Sequence, residues 1–144
     1  MMTREAAWRQ FVEEYNIEVP EESIENELRY IMTEMRHRLQ YDTLINHVPH
    51  FHAQAELADQ EDEYRALAFY EAKSDLVMKK LLTEWNPAVT RKELEEEAEA
   101  VAMRQNSTID MVKSFFGEDL AMLERDIKER KIKDRILEAS VSMS

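Results

Sequence analysis

Apolar residues recur along most of this chain at steps of three and four, the spacing of a buried stripe on an α-helix. Arg4 to Tyr15 predicts a short helix with Trp8, Phe11, Val12 and Tyr15 on one side. Asn16 to Pro20 breaks it, and Pro20 suits the first turn of a second helix, where its missing N–H would have no partner. Glu21 and Glu22 favour the positive end of that helix dipole, and Ile24, Leu28, Ile31, Met35 and Leu39 continue the stripe. Asn46 to His52 reads as a connection around Pro49.

A long helix is predicted over much of Ala53 to Trp85, with Leu67, Tyr70, Ser74, Val77 and Leu81 as its stripe and Met78, Leu82 and Trp85 widening it. Asn86-Pro87 ends it. Thr90-Arg91-Lys92-Glu93 has the form of a capping box and opens a helix to about Gln105. Ser107-Thr108-Ile109-Asp110 opens a short helix that stops near Gly117. The last helix is expected from about Glu118 to Ala139, with Leu120, Leu123 and Ile127 on one face and Lys128, Arg130, Lys131, Lys133 and Arg135 in its C-terminal half. The final Ser-Val-Ser-Met-Ser is expected to fray. The fold class is all-α.

An internal similarity runs at an offset of 70: NIEVPEESIENE at 16–27 matches NPAVTRKELEEE at 86–97. Upstream, Phe11-Val12-x-Glu14-Tyr15 matches Leu81-Leu82-x-Glu84-Trp85. Each copy reads as helix, breaker, valine, helix start, so two helix–bend–helix arms are expected.

Composition narrows the picture. One Gly and three Pro in 144 residues leave few tight turns, which disfavours a β-sandwich or barrel. A net charge of −12 disfavours broad nucleic-acid binding, which needs cations to neutralise phosphates, and opposes an anionic membrane. Cys is absent, which excludes disulfides and thiolate nucleophiles. There is no apolar signal core, and no run approaches the roughly 20 apolar residues of a membrane helix. A cytoplasmic location is expected.

The same segments carry a family resemblance. Asn16 to Leu28 (NIEVPEESIENEL) resembles the I-x-V-P lead-in to the first arm of the trigger factor C-terminal domain, a SurA-like chaperone domain. Val89 to Glu97 (VTRKELEEE) is similar to that family's V-T-x-x-E-L helix start. Met111 to Gly117 (MVKSFFG) is similar to its VK-x-F-[YF] turn, and Leu123 to Lys131 (LERDIKERK) to its L-x-x-D-I-x-x-x-K helix. Order and spacing also fit, over nearly the whole chain.

The resemblance implies one domain over 1–144 built of elongated helical arms: a first arm at about 16–52, a long connecting helix at about 53–85 and a second arm at about 86–139. It implies an apolar cradle that shields unfolded or nascent polypeptides without ATP or another cofactor. The nine methionines suit an adaptable surface. Candidate client-binding residues are Tyr30, Met32, Met35, Leu39, Leu44 and Phe51 in the first arm and Met103, Met111, Phe115 and Met122 in the second half. Helical spacing makes core packing the commoner fate of such residues. The family's Gly- and Arg-rich ribosome-docking loop and its FKBP-like prolyl isomerase domain are expected to be missing, so direct ribosome docking is not expected.

Other chemistry is weaker. His47, His50 and His52 form H-x-x-H-x-H, which could hold Zn2+ or Ni2+ with Asp42 or His37, but no Cys supports them. Glu34-x-x-His37 is a single copy of a motif that a di-iron bundle needs twice. Glu93 to Glu97 reads as a solvated helix face. No phosphate loop, H-E-x-x-H or nucleophile elbow is present, and no enzymatic activity is expected. The rival to a chaperone is a scaffolding protein that binds one dedicated partner or itself as a homodimer.

Overall fold

The computed structural model describes residues 2–48, 53–117 and 120–142. Among these residues there are seven helices and no strand: α1 (Arg4–Glu14), α2 (Glu21–Leu44), α3 (Ala53–Asp59), α4 (Glu61–Trp85), α5 (Arg91–Arg104), α6 (Ile109–Phe116) and α7 (Ala121–Ser142). The all-α expectation holds. Two compact units divide the chain, Met1–Phe11 with Met78–Ser144 and Val12–Val77, so the boundaries fall inside α1 and α4.

In the Val12–Val77 unit, Pro20 stands just before the first turn of α2, and its carbonyl accepts the N–H groups of Ser23 and Ile24. Ile24, Leu28 and Ile31 of α2 bury themselves against Ala68 and Ala72 of α4, with Val19, Met32, Met35 and Tyr64 around them. This corrects the first part of the expected stripe of α4, whereas Val77, Met78 and Leu81 are buried as expected. Leu67 is exposed, and Tyr70 and Ser74 are half-buried. Alanine side chains let the α2 backbone approach closely, and leucine at those positions would hold it off.

The expected helix from Ala53 to Trp85 is interrupted at Gln60. The Gln60 N–H bonds back to the Leu57 carbonyl, which tightens the end of α3. Its carbonyl then accepts the Tyr64 N–H at 3.0 Å, and its side-chain oxygen accepts the Tyr64 hydroxyl at 2.5 Å. Glu61, Asp62 and Glu63 place negative charge at the positive end of the new helix. Arg65 reaches Glu25 at 2.7 Å, Glu21 at 3.5 Å and Glu61 at 3.8 Å. Its hydrogen bond and charge hold the Glu25 carboxyl below the ordinary carboxylate value. Two residues on, Glu27 is pushed upward by burial and by the charges of Asp75 and Glu71.

In the other unit, Ala98 and Ala102 of α5 pack with Val112 of α6, with Leu120 just before α7 and with Leu123 of α7, flanked by Leu94 and Val101. Thr90 caps α5 through the expected capping box: its hydroxyl accepts the Glu93 N–H at 3.1 Å, and the Glu93 carboxylate accepts the Thr90 N–H at 3.1 Å. The other carboxylate oxygen of Glu93 takes Lys131 at 2.6 Å. Lys131 also donates to the Ala88 carbonyl, Lys128 to the Asn86 side chain and Arg130 to both oxygens of Glu97. Lys133 lies over the Trp8 ring at 5.6 Å and Arg135 over Trp85 at 4.5 Å. The positive half of α7 therefore clamps the bend between α4 and α5.

α7 begins at Ala121, after Leu120, and continues to Ser142, past the fraying expected from Ser140. Leu120 precedes the helix at φ 56° and is still buried. A leucine in the left-handed region is strained, and its burial with Val112 and Leu123 offsets that strain. The two bends keep the offset seen in the sequence: α2 begins at Glu21 and α5 at Arg91, and 91 − 21 = 70. The caps differ, because Pro20 makes no side-chain cap hydrogen bond and Thr90 does.

Candidate functional site

Among the described residues, a concave apolar surface lies where α5 hands over to α6. α5 ends in a Schellman turn: Ser107 N–H bonds to the Ala102 carbonyl at 2.8 Å and Asn106 N–H to Met103 at 3.2 Å, with Asn106 left-handed at φ 51°. Asparagine tolerates that backbone because its short polar side chain bonds locally. Thr108 then caps α6 by accepting the Met111 N–H at 3.3 Å. The chain reverses in few residues, and α6 packs on the small side chains of Ala98 and Ala102.

Between the helices is a groove of about 360 Å3 lined by Val101, Gln105, Ser107, Met111, Val112 and Phe115. Val112 is buried at its base, whereas Met111 is 63% and Phe115 80% exposed. Met111 and Phe115 are one turn apart, so both face the same way. Gln105 and Ser107 give the groove an amide and a hydroxyl among otherwise apolar walls. Another hollow is lined by Lys79, Leu82, Thr83, Ala121, Glu124, Arg125 and Lys128 and is the more polar of the two; Lys128 pairs with Glu124 across its lining, and Arg125 pairs with Glu129.

The other candidate residues divide clearly. Met103 is 83% exposed, but it stands two residues from Val101 and so points around α5 away from the groove. Met122 is exposed at the start of α7 and does not line the groove. On α2, Tyr30, Tyr41 and Leu44 are exposed, and with His37 they recur at intervals of seven, four and three along the solvent side. Met32 and Met35 are half-buried against Ile24, Leu28 and Ile31, and Leu39 is half-buried. Phe51 lies outside the described residues.

Ile45, Val48, Leu67 and Phe69 are exposed as well, and the pattern reading did not single them out as surface. The signal for Ile45 and Val48 was available, because both follow the end of the α2 stripe. His47 is exposed with φ 57°, and His50 and His52 lie outside the described residues. Among the described residues no three His, Cys, Asp or Glu side chains are grouped so as to hold a metal ion.

Taken together, these features define an all-α domain of amphipathic helices that presents methionine, aromatic and aliphatic side chains to solvent, part of them in one groove. The family model of the bacterial trigger factor protein (TF) C-terminus matches residues 2–138, and the chain belongs to that family. Membership ties it to chaperone function in the general sense. No curated protein and no solved structure matches it. Among the described residues, no helix is long and apolar enough to cross a membrane.

Proposed function

We propose that this chain is an ATP-independent, holdase-type chaperone of the cytoplasm, which binds unfolded or partly folded polypeptides and needs no cofactor or catalytic step. The observation that carries the reading is the α5–α6 groove, where Met111 and Phe115 stand exposed over a buried Val112. Burial of apolar client surface there would be worth about 25 cal/mol per Å2, enough for reversible holding when several side chains engage. Exposed Tyr30, Tyr41 and Leu44 on α2 supply a second apolar surface for the same use. A nucleic-acid role finds no support, because each cation of α7 from Arg125 to Arg135 already has a partner within the chain.

The test is suppression of aggregation, followed by light scattering after a chemically unfolded protein is diluted into buffer. Near-stoichiometric suppression is expected for two unrelated clients. Phe115→Glu, and Met111→Glu in a second variant, should each weaken it without unfolding the chain, since both side chains are exposed. Substituting Met32 or Met35 would be a poor probe, because both pack against the α2–α4 core. Unchanged suppression in the groove variants would remove the groove from the reading, and no suppression by the parent chain would end it. The groove's compactness also suits a scaffolding role with one dedicated partner, and in that case a single protein would bind while generic clients would not.

A further inference from the structure

We infer that Met111 is an oxidation-sensitive modification site that controls the affinity of the α5–α6 groove; the inference rests on the chaperone reading for its purpose but not for its chemistry. The chain has no cysteine, so its sulfur redox chemistry belongs to methionine alone. Its methionines differ sharply in exposure. Met78 is buried at 6%, and Met32 and Met35 are half-buried against the α2–α4 core. Met103, Met111 and Met122 are open to solvent, at 83%, 63% and 59%. Of these three only Met111 lines the groove, one helical turn from Phe115.

The oxidant is a peroxide. The thioether sulfur attacks one peroxide oxygen, the S–O bond forms as the O–O bond breaks, and the second oxygen leaves as water after proton transfer. Sulfoxide reduction by a thiol-driven reductase reverses the step, forming one disulfide in the reductant and one water. The product is a polar, chiral sulfoxide where a flexible apolar side chain stood. At Met111 this places a strong hydrogen-bond acceptor on the apolar wall, and an apolar ligand would have to desolvate it. At Met103 and Met122 the same chemistry leaves the groove untouched, so these residues act as internal controls.

The test treats the full chain with hydrogen peroxide and follows each methionine by peptide mass spectrometry. Met111 should oxidise more than about tenfold faster than Met78, as its exposure requires. Groove occupancy is read with an anilinonaphthalenesulfonate dye, taking the part of its binding that Phe115→Glu removes. That part should weaken about tenfold on oxidation of the parent, of Met103→Leu and of Met122→Leu, and recover with a sulfoxide reductase. Met111→Leu, compared with its own untreated sample, should show groove-dependent dye binding that peroxide does not change, because leucine has no sulfur to oxidise. Met111→Gln should bind weakly before any treatment. Equal peroxide sensitivity in Met111→Leu and the parent would overturn the inference, as would a Met111 that oxidises no faster than Met78. A denatured reporter protein measured alongside separates the two ideas. If the unoxidised chain never holds it while dye binding follows Met111, the modification site stands and the chaperone reading falls.

Discussion

Changing Ala68 to leucine, and Leu67 to alanine in a separate variant, distinguishes the two faces that α4 offers to α2. Helical spacing of large apolar residues puts Leu67 in the core, whereas the structure buries Ala68 completely and leaves Leu67 41% exposed. Ala68 touches the cluster of Ile24, Leu28 and Ile31, so three added heavy atoms must push the helices apart or leave their rotamers; overpacking of this kind costs about 1–3 kcal/mol. A fully buried leucine cut to alanine would cost about 2–5 kcal/mol, because a cavity remains. Leu67 leaves no closed cavity. Burial of roughly three-fifths of its side chain is worth about 1 kcal/mol, and the higher helix propensity of alanine offsets part of that. Ala68→Leu should therefore destabilise more than Leu67→Ala. Urea unfolding followed by far-UV circular dichroism measures both, with the midpoint read at constant m value. In a thermal scan each kcal/mol should appear as about 2–4 °C. The reasoning is refuted if Leu67→Ala costs more than about 2 kcal/mol, the range of a buried leucine, while Ala68→Leu is silent.

Three further outcomes follow from the caps and carboxylates. Thr90→Ala removes the hydroxyl that accepts the Glu93 N–H, while the backbone N–H of residue 90 can still donate to the Glu93 carboxylate; it should cost about 1 kcal/mol in urea unfolding, and Thr90→Ser should recover most of it. The Glu93 carboxyl is held below its ordinary value of 4.5 by hydrogen bonds from Lys131 and Thr90, so its contribution is present above 4.5 and is lost as pH falls through the lowered value. Lys131→Met should flatten that acid limb, and an unchanged stability–pH profile would show that the ion pair contributes nothing. Glu27 has the opposite sign. Burial, with Asp75 and Glu71 nearby, raises its folded value above 4.5, so ionisation costs stability as pH rises through that window. Glu27→Gln should be at least as stable as the parent at neutral pH and lose its advantage in acid, which paired urea midpoints at the two pH values would check.

Capping chemistry made most of the helix order readable. Thr90 with Glu93, Thr108 before Met111, and Asn86 before Pro87 each satisfy or end a helix with a local hydrogen bond or a missing N–H, so the side chain types are informative by themselves. The break at Gln60 carries no Gly or Pro, and it depends on one glutamine whose carbonyl and side chain both serve Tyr64. The α2–α4 seam was hidden for a different reason. It rests on Ala68 and Ala72, whose value lies in close backbone approach, and a hydrophobicity pattern favours the larger Leu67 and Tyr70 instead. Among the candidate site residues, Met32 and Met35 follow Ile24, Leu28 and Ile31 closely enough for the stripe itself to have placed them inward. Met111 and Phe115 stood with Met103 and Met122 among the candidates, but the groove that joins only the first two was not legible, because it depends on how sharply Asn106 turns α5 into α6.

Charge is divided between the two units in a way that bears on how apolar side chains can stay exposed. Of the 31 acidic and 19 basic residues, 16 and 5 fall within Val12–Val77, which leaves 15 and 14 for the rest. Formal charges of −11 and −1 result. In the nearly neutral unit the cations are consumed in building: Lys128, Arg130 and Lys131 hold the bend after α4, and Lys133 and Arg135 cover the tryptophans. Its exposed apolar side chains are mostly methionine, with Met111 confined to one groove. The acidic unit exposes Tyr30, Tyr41 and Leu44 on α2, Ile45 and Val48 just after it, and Leu67 and Phe69 on α4, and in its stretch around Arg65 three carboxylates surround one cation. Surplus negative charge adds little to folding, since exposed ion pairs and isolated surface carboxylates contribute little. It does make two copies of the same apolar surface repel one another, while a neutral or cationic polypeptide meets no such barrier. That asymmetry biases an exposed apolar helix face toward partners other than a second copy of the chain.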